Sequence, residues 1–259
     1  MSVAVRAEWT KLRTVASTGW LLLGVVLVCV TVSVAADLAG PCTTSAGCHP
    51  DITRLSLTGV DAGQAVVAVV AVLAVTAEYG TGMIRTTLAA VPLRTAVLAA
   101  KAAVLTGLTL AAGAVAVLGS VLAGRLILPG HGLTPTRGYP ALTLADGPVL
   151  RAAAGTVLYL ALIALLSLGV AAAVRDSATA IGVVLGLLYL VPILGLAAGG
   201  AGWQRHLQQV GPMSAGLAIQ ASAGLRHLPI GPWPGLGVLA GWAAAALLAG
   251  GLRLGLRDA

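Results

Sequence analysis

The chain has 259 residues and a mass of 25.5 kDa; 58% of the residues are hydrophobic, only 9% are charged, and the mean hydropathy is +0.99. Soluble domains carry roughly 25% charged residues, so 8 acidic and 15 basic side chains are too few to cover a water-exposed surface of this size. The composition excludes a soluble enzyme, a disordered regulator and a water-exposed nucleic-acid-binding protein, and it predicts an all-α integral membrane protein.

The net charge of +7 fits the loops of a membrane protein. Basic residues collect near anionic headgroups on the cytoplasmic side. The sequence has no cluster of Lys and Arg on a polar domain that would hold phosphates. We therefore expect the lipid bilayer, and no nucleic acid, as the partner of these charges.

The first 17 residues have the pattern of an amphipathic helix that lies on the inner membrane surface. Val5, Trp9 and Leu12 fall on one helical stripe. Lys11 and Arg13 supply basic side chains that suit headgroups. The alternative is that this helix merely anchors the protein.

The same basic residues, followed by an apolar run, also resemble a secretory signal peptide that ends in Val34-Ala35-Ala36. A usual hydrophobic region of a signal peptide has 7–15 residues, and this run has about 18. We therefore expect the run to stay in the protein as its first span.

Apolar runs of about the length needed to cross a bilayer recur along the chain. The six predicted spans cover residues 18–36, 59–77, 96–123, 149–174, 178–199 and 235–252. With no repeat and no long linker, the sequence predicts a single transmembrane domain over residues 1–259.

Basic residues set the predicted orientation. With the N-terminus inside, inner segments hold nine of the 15 Lys and Arg and outer segments hold six. The inner segments total about 50 residues against about 85 outside, so the density favours both termini in the cytoplasm. The expected location is the cell (plasma) membrane, in a multi-pass arrangement.

The three outer loops, at about 37–58, 125–148 and 200–234, hold most of the prolines and histidines. Cys42 and Cys48 share the first loop, where an oxidising exterior favours a disulfide. Two free or metal-binding thiols are the alternative. The last loop is semi-apolar, with Trp203 and Leu207 among its residues, which predicts short helices at the outer interface or ordinary loop packing.

The sequence contains no motif for catalysis. The phosphate-binding pattern G-x-x-x-x-G-K-[ST] is absent, as are H-E-x-x-H and G-x-S-x-G. We expect no enzyme activity, no cofactor and no metal in this chain. Asp37 and Asp61 fall at span ends, and Lys101 near the inner end of a span can reach the interface. These positions argue against ion-coupled transport without excluding it.

Residues 78–95 join the second and third spans on the predicted inner side. Gly80 and Gly82 permit a sharp break after the span. Pro92 disfavours helix at the residue before it. These features predict a short interfacial helix of two to three turns.

This short helix has a surface that suits a partner protein. Ile84, Leu88 and Val91 form an apolar stripe, and Glu78 and Arg85 add charges. We assign to this coupling segment Glu78, Tyr79, Gly80, Gly82, Ile84, Arg85, Leu88, Pro92 and Arg94.

Three stretches together resemble a known family. They are Glu8-Trp9-Thr10-Lys11-Leu12-Arg13-Thr14, the segment Glu78–Pro92 with Arg94 and Lys101, and the closing Arg253 to Arg257-Asp258-Ala259. The chain is similar to permease subunits of ABC-2 type exporters of the actinobacterial kind.

The resemblance implies an exporter whose pathway is formed by two permease chains, identical or different, and whose ATP is hydrolysed by a separate cytoplasmic ATPase. It also implies that the first helix is the interfacial helix of the family and that residues 78–91 hold its coupling helix. The alternatives are a secondary transporter and a non-transporting anchor, sensor or immunity subunit.

Contacts with a second permease chain are predicted from small residues. A G-x-x-x-G spacing lets helix backbones approach closely, either between chains or within one. The spacing occurs at Gly182 and Gly186, at Gly195 and Gly199, and at Gly237 and Gly241.

Overall fold

Six long apolar helices dominate the molecule, which is a computed structural model that describes residues 16–39, 51–80, 94–134, 139, 142–197 and 200–257. The α-helices are α1 Ala16–Ala39, α2 Ile52–Ser56, α3 Val60–Gly80, α4 Arg94–Ile127, α5 Gly147–Val174, α6 Ser177–Leu185, α7 Val191–Ala197, α8 Ala201–Val210, α9 Pro212–Gly216 and α10 Pro232–Arg257. Short 3₁₀ turns cover Leu128–His131, Leu217–Gln220 and Leu225–His227, and a π-helix covers Gly186–Leu190. The described residues contain no strand.

The prediction of six apolar, span-length helices is confirmed. They are α1, α3, α4, α5, the joined α6–π–α7 and α10. The second of them begins at Val60, next to the predicted residue 59. Several helices run past the predicted apolar runs, because polar and glycine-containing turns at their ends continue the same backbone hydrogen bonding.

Helices α3 and α5 form the centre of the bundle. In the most apolar 18-residue stretch of each span, 61% of the residues are buried in α5 and 56% in α3. In the other four spans the buried share is 22–33%. The α5 side chains Leu160, Ile163 and Leu166 are fully buried. Helix α10 packs along α5 so closely that a Cβ on Gly169 would lie 2.4 Å from the backbone of Ala246. The outer helices leave apolar faces for lipid or for other chains.

The fifth span is broken by a π-helix directly before Pro192. Proline lacks the N–H that would bond the carbonyl four residues earlier, and its ring crowds that carbonyl. The wider turn Gly186–Leu190 accommodates this defect. It also turns Tyr189 toward the start of α3, where the Tyr189 hydroxyl donates to the Asp61 carbonyl at 2.5 Å.

Consecutive spans alternate in direction, so the bundle has two ends. We call the end where α3 and α10 begin the distal end, and the end where α10 finishes the terminal end.

Candidate functional site

Two short segments close the distal end, residues 51–59 and 211–223, and we call them the distal cover. Both insert between the longer helices. In the first segment, Ile52, Thr53 and Leu57 are buried. In the second, Ile219 is fully buried. The prediction of short helices in the last loop is confirmed, since α8, α9 and two 3₁₀ turns occupy it.

The Asp51 carboxylate joins the two segments of the cover. It accepts hydrogen bonds from the Ser222 hydroxyl at 2.6 Å, the Ser222 N–H at 2.6 Å and the Ala223 N–H at 2.9 Å. It also accepts from the Arg54 N–H at 3.2 Å and so caps α2. The Ser222 hydroxyl lies 2.9 Å from the Thr53 hydroxyl. Charge-assisted bonds of this kind are stronger than neutral ones, so one side chain holds two loops together.

The second segment is also fixed to α5. Arg151 Nη2 donates to the Ala221 carbonyl at 2.5 Å. Ile219 fills a notch over Gly155, where an added Cβ would lie 2.0 Å from the Ile219 side chain. Only glycine leaves room for this contact, which packs the second segment of the cover against α5.

Beneath the cover lies a polar cluster of Asp61, Gln64, Tyr159 and Tyr189. The Tyr159 hydroxyl donates to Gln64 Oε1, and Gln64 Nε2 donates to the Asp61 carbonyl at 3.1 Å. Gln64 and Tyr159 are fully buried. Burying an amide and a phenol is unfavourable without partners, and here each satisfies the other. The cluster therefore ties α3, α5 and the π-helix together.

The Asp61 carboxylate faces a cavity between the cluster and the cover. Among the described residues, its buried Oδ1 accepts no hydrogen bond. The cavity has a volume of about 280 Å³. Its polar lining comes from Arg54, Asp61, Gln208 and Ser214. Several water molecules fit such a volume. The rest of the lining is apolar, with Pro192, Met213 and Leu217 among its residues.

A second buried acid lies at the distal end of α1. Asp37 is fully buried, and the Ser56 hydroxyl donates to its Oδ1 at 3.2 Å. Its Oδ2 has no hydrogen-bond partner in the described part of the chain. A Cβ on Gly124 would lie 3.1 Å from Oδ2 and 2.1 Å from Ser56 Oγ. The sequence placed Asp37 at a span end, and the structure adds that neighbouring helices enclose it.

At the terminal end, basic side chains bond to carbonyls near the helix ends. Lys101 Nζ lies 3.5 Å from the Ala74 carbonyl, Arg175 Nη2 donates to the Arg253 carbonyl at 3.2 Å, and Arg253 Nη1 donates to Ala173 at 2.9 Å. Lys101 is only 7% exposed. The Lys101 ammonium group is directed to α3, and the expectation that it reaches the interface stays a prediction. Of these three carbonyls, that of Ala173 lies in the last turn of its helix, where a basic side chain supplies a missing donor.

The terminal turn between α5 and α6 is set by two residues. Arg175 adopts a left-handed conformation with φ 68° and ends α5. Asp176 then caps α6 by accepting from the Thr179 N–H at 2.8 Å. Hydrogen bonds from the Thr179 side chain and backbone lower the pKa of Asp176 below 3.8.

Most of the predicted site residues lie outside the described residues. The interfacial-helix residues Val5, Trp9, Lys11, Leu12 and Arg13, the cysteines Cys42 and Cys48, and the coupling residues Gly82, Ile84, Arg85, Leu88 and Pro92 are in this group. The backbone of Glu78, Tyr79 and Gly80 forms the last turn of α3, and Arg94 begins α4. The two ends of the predicted coupling segment thus belong to the span helices α3 and α4. Helix α3 continues through Gly80.

The sequence reasoning missed the distal cover and the polar cluster. Gln64 carried a usable signal, since an amide within an apolar run is expensive and needs a buried partner. Pro192 within the fifth run likewise indicates a helix defect. Asp51 and Ser222 gave no signal, because they are 171 positions apart and both look like ordinary loop residues.

Glycines predicted to mediate helix contacts are exposed on two helices. Added Cβ atoms at Gly182, Gly186, Gly237 and Gly241 would meet no atom within 4 Å. Gly195 differs, because its Cβ would contact Leu207 at 3.7 Å within the chain. Among the described residues, the pairs Gly182–Gly186 and Gly237–Gly241 therefore mediate no close helix contact within the chain.

The described residues contain no group of three or more His, Cys, Asp or Glu that could hold a metal ion. No protein-family model matches the chain, and no curated protein matches it. The six apolar helices define a multi-pass membrane protein.

Proposed function

We propose that this chain is the membrane-spanning permease subunit of an ATP-driven exporter of the ABC-2 type. In this proposal it pairs with a second permease chain, and a separate cytoplasmic ATPase drives it. The observation that supports the proposal most is the contrast between the two ends. At the distal end a hydrogen-bonded cover adjoins a cavity that contains Asp61. At the other end Lys101 connects the two helices that flank the predicted coupling segment.

The terminal end has a connection suited to coupling. Helix α3 ends at Gly80 and α4 begins at Arg94, so both flank the coupling segment. Lys101 on α4 also contacts the carbonyl of Ala74 on α3. A force applied to the segment between these helices would be carried into both of them, and α3 bears the polar cluster at its distal end.

The open glycine faces support pairing with a second permease chain. Gly182 and Gly186 lie on the fifth span and Gly237 and Gly241 on the sixth. Within a bilayer, small residues allow close helix contacts that lipid tails do not replace. Substitution of Gly186 or Gly241 by Leu should lower dimer formation in crosslinking assays and leave insertion unchanged.

In the proposed orientation, both termini are cytoplasmic and the distal cover faces the exterior. The density of basic residues supports this orientation. Reporter fusions after Ala259 and at His131 should give opposite sidedness. Signals on the same side would remove the orientation and the coupling assignment with it.

The proposal is tested by changing the apolar stripe of the coupling segment. Burial of one aliphatic side chain contributes about 1.5–3 kcal/mol, so Leu88→Asp should weaken co-purification with the cognate ATPase about tenfold or more. The matched control is Leu144→Asp, which puts the same charge on a partly exposed leucine at the distal end. If Leu88→Asp inserts, binds the ATPase and supports transport as the wild type does, the segment is only a connector.

A secondary transporter is the second candidate, and Asp37 favours it. Buried acids within membrane helices often mark ion or proton sites, and Asp37 is fully buried with one free oxygen among the described residues. In this case the chain alone would transport its substrate along a sodium or proton gradient, and Asp37→Asn would abolish that transport. Flux that requires the ATPase, and survives Asp37→Asn, supports the exporter instead.

A further inference from the structure

A second cavity at the distal end has the composition of an anion-binding site. It has a volume of about 670 Å³ and lies between α8 and the loop that follows Gly224. Its lining consists of Gln204, Arg205, Gln208, Gln209, Arg226, His227, Leu228 and Pro229. Two guanidinium groups and no carboxylate therefore line one cavity.

The positive charges of this cavity are not neutralised by the described part of the protein. Among the described residues, neither Arg205 nor Arg226 forms an ion pair or a side-chain hydrogen bond, and both are exposed. Asp51, an acid of the neighbouring cover, already accepts hydrogen bonds from Ser222 and Ala223. Two arginines that line one cavity without a counter-ion attract an anion, and their planar groups suit the oxygens of a phosphate.

The cavity walls are held in place by the protein itself. Gln209 Nε2 donates to the Pro229 carbonyl at 2.8 Å and so connects α8 to the opposite wall. The Trp242 indole donates to the Val210 carbonyl at 2.9 Å and fixes the end of α8 to α10. The arginines thus extend from two elements whose relative position is set by hydrogen bonds.

The helix that carries Arg205 also has a face for lipid. Trp203, Leu207 and Val210 follow helical spacing on one side of α8. Leu207 packs toward Gly195 of the fifth span, whereas the Trp203 side chain is 56% exposed. Tryptophan is favoured at membrane–water interfaces, so this helix lies where headgroups would be found.

We propose that this basic cavity binds the phosphate headgroup of an anionic phospholipid in the distal leaflet. Arg205 and Arg226 would hold the phosphate oxygens, while Gln204 and Gln208 would donate to the remaining polar atoms of the headgroup. Trp203, on the apolar side of the same helix, would contact the acyl chains. The proposal is independent of what the protein transports and of what drives transport.

Native mass spectrometry of the detergent-purified full chain tests the proposal. Phosphatidylglycerol should bind about tenfold or more tightly than phosphatidylcholine, because basic residues near a membrane surface favour anionic lipid. The double variant Arg205→Gln/Arg226→Gln should lose that preference. The matched control is Arg125→Gln, which removes an exposed arginine at the distal end of α4, outside the cavity, and should keep the preference.

Further variants distinguish lipid binding from the binding of free phosphate, and a lost binding site from an unfolded protein. Arg205→Lys/Arg226→Lys, which keeps the charge, should retain part of the preference, and thermal melting shows whether each variant is folded. Trp203→Ser should weaken lipid binding without affecting inorganic phosphate. Equal binding of both lipids by the wild type, an equal loss in Arg125→Gln, or inorganic phosphate that binds as tightly as the lipid would each overturn the proposal.

Discussion

The two ends of this bundle are held together in different ways. At the distal end, the Asp51 carboxylate accepts hydrogen bonds from the backbone of residues 222 and 223 and from the hydroxyl group of Ser222, which are far away in sequence. At the terminal end, Lys101, Arg175 and Arg253 bond to carbonyls of neighbouring helices. The distal contacts join inserted loops to each other and to the spans, whereas the terminal contacts join the spans directly.

This difference concerns the contacts that each end would have to change in order to open. The hydrogen bonds between the two segments of the cover involve Asp51 and Ser222. Each segment is also held to a span, by Ser56 to Asp37 and by Arg151 to Ala221. Contacts between long helices change only when the helices move relative to each other. In the proposed exporter, the distal cover would be the gate, and the terminal end would receive force from the ATPase.

The largest effect should come from Asp51→Ala. The variant removes the acceptor of four hydrogen bonds and the cap of α2, which should lower the free energy of unfolding by about 2–4 kcal/mol. Thermal melting in detergent measures this loss. Asp146→Ala is the control, because that distal acid is exposed and makes no side-chain cap bond to α5. Equal losses in both variants would show that Asp51 does not join the cover.

The next largest loss of stability should come from disturbing the contact between the cover and α5. Gly155→Ala would place a Cβ 2.0 Å from Ile219, and overpacking of this kind lowers stability by about 1–3 kcal/mol. Gly107→Ala is the control, since no atom lies within 4 Å of its Cβ position. Adding Ile219→Ala to Gly155→Ala should produce less loss than the sum of the two single variants. Additive losses would mean that Ile219 does not occupy the notch.

At the terminal end, Lys101→Met should have a smaller effect on stability, about 0.5–1.5 kcal/mol. The methionine keeps much of the buried aliphatic length and removes the ammonium group near the Ala74 carbonyl. In the proposed exporter it should also reduce ATP hydrolysis coupled to transport, while Lys101→Arg retains it. A Lys101→Met protein with full coupling would place force transmission elsewhere.

The smallest expected effect is a pH dependence of the local stability at the start of α6. The pKa of Asp176 is lowered below 3.8 by hydrogen bonds from Thr179. Because the pKa is lower in the folded state, ionised Asp176 stabilises the fold at any pH above its pKa in the unfolded state. This stabilisation is lost as the pH falls through the pKa of the folded state. Asp176→Asn keeps a capping acceptor and should remove this dependence. Hydrogen exchange of residues 177–180 in both proteins at matched acidic pH checks it, and identical exchange at every pH would contradict it.

The number of spans and their approximate positions could be read from the sequence, because the apolar runs are long and almost free of charge. The distal cover could not be read in the same way. Ile52 and Ile219 belong to short segments whose insertion depends on notches in other helices, such as the one at Gly155. Local patterns carry no information about such notches, which arise only when the helices pack together.

The predicted coupling segment and the polar cluster, which was not predicted, differ in the same respect. The apolar stripe at Ile84 and Leu88 is local, so the sequence alone predicts it. The polar cluster needs Gln64, Tyr159 and Tyr189 from three different spans. The sequence could at most have marked Gln64 as a residue that needs a buried partner.

A disulfide across the distal cover tests the central claim most directly. The hydroxyl oxygens of Thr53 and Ser222 lie 2.9 Å apart, so Thr53→Cys/Ser222→Cys in a background without native cysteines should form a bond that keeps the cover closed. With the cognate ATPase in proteoliposomes, oxidation should slow transport-coupled ATP hydrolysis about tenfold or more, and reduction should restore it while the ATPase stays bound. Undiminished hydrolysis and export by the oxidised, fully crosslinked protein would contradict the claim that this cover is the gate of an exporter.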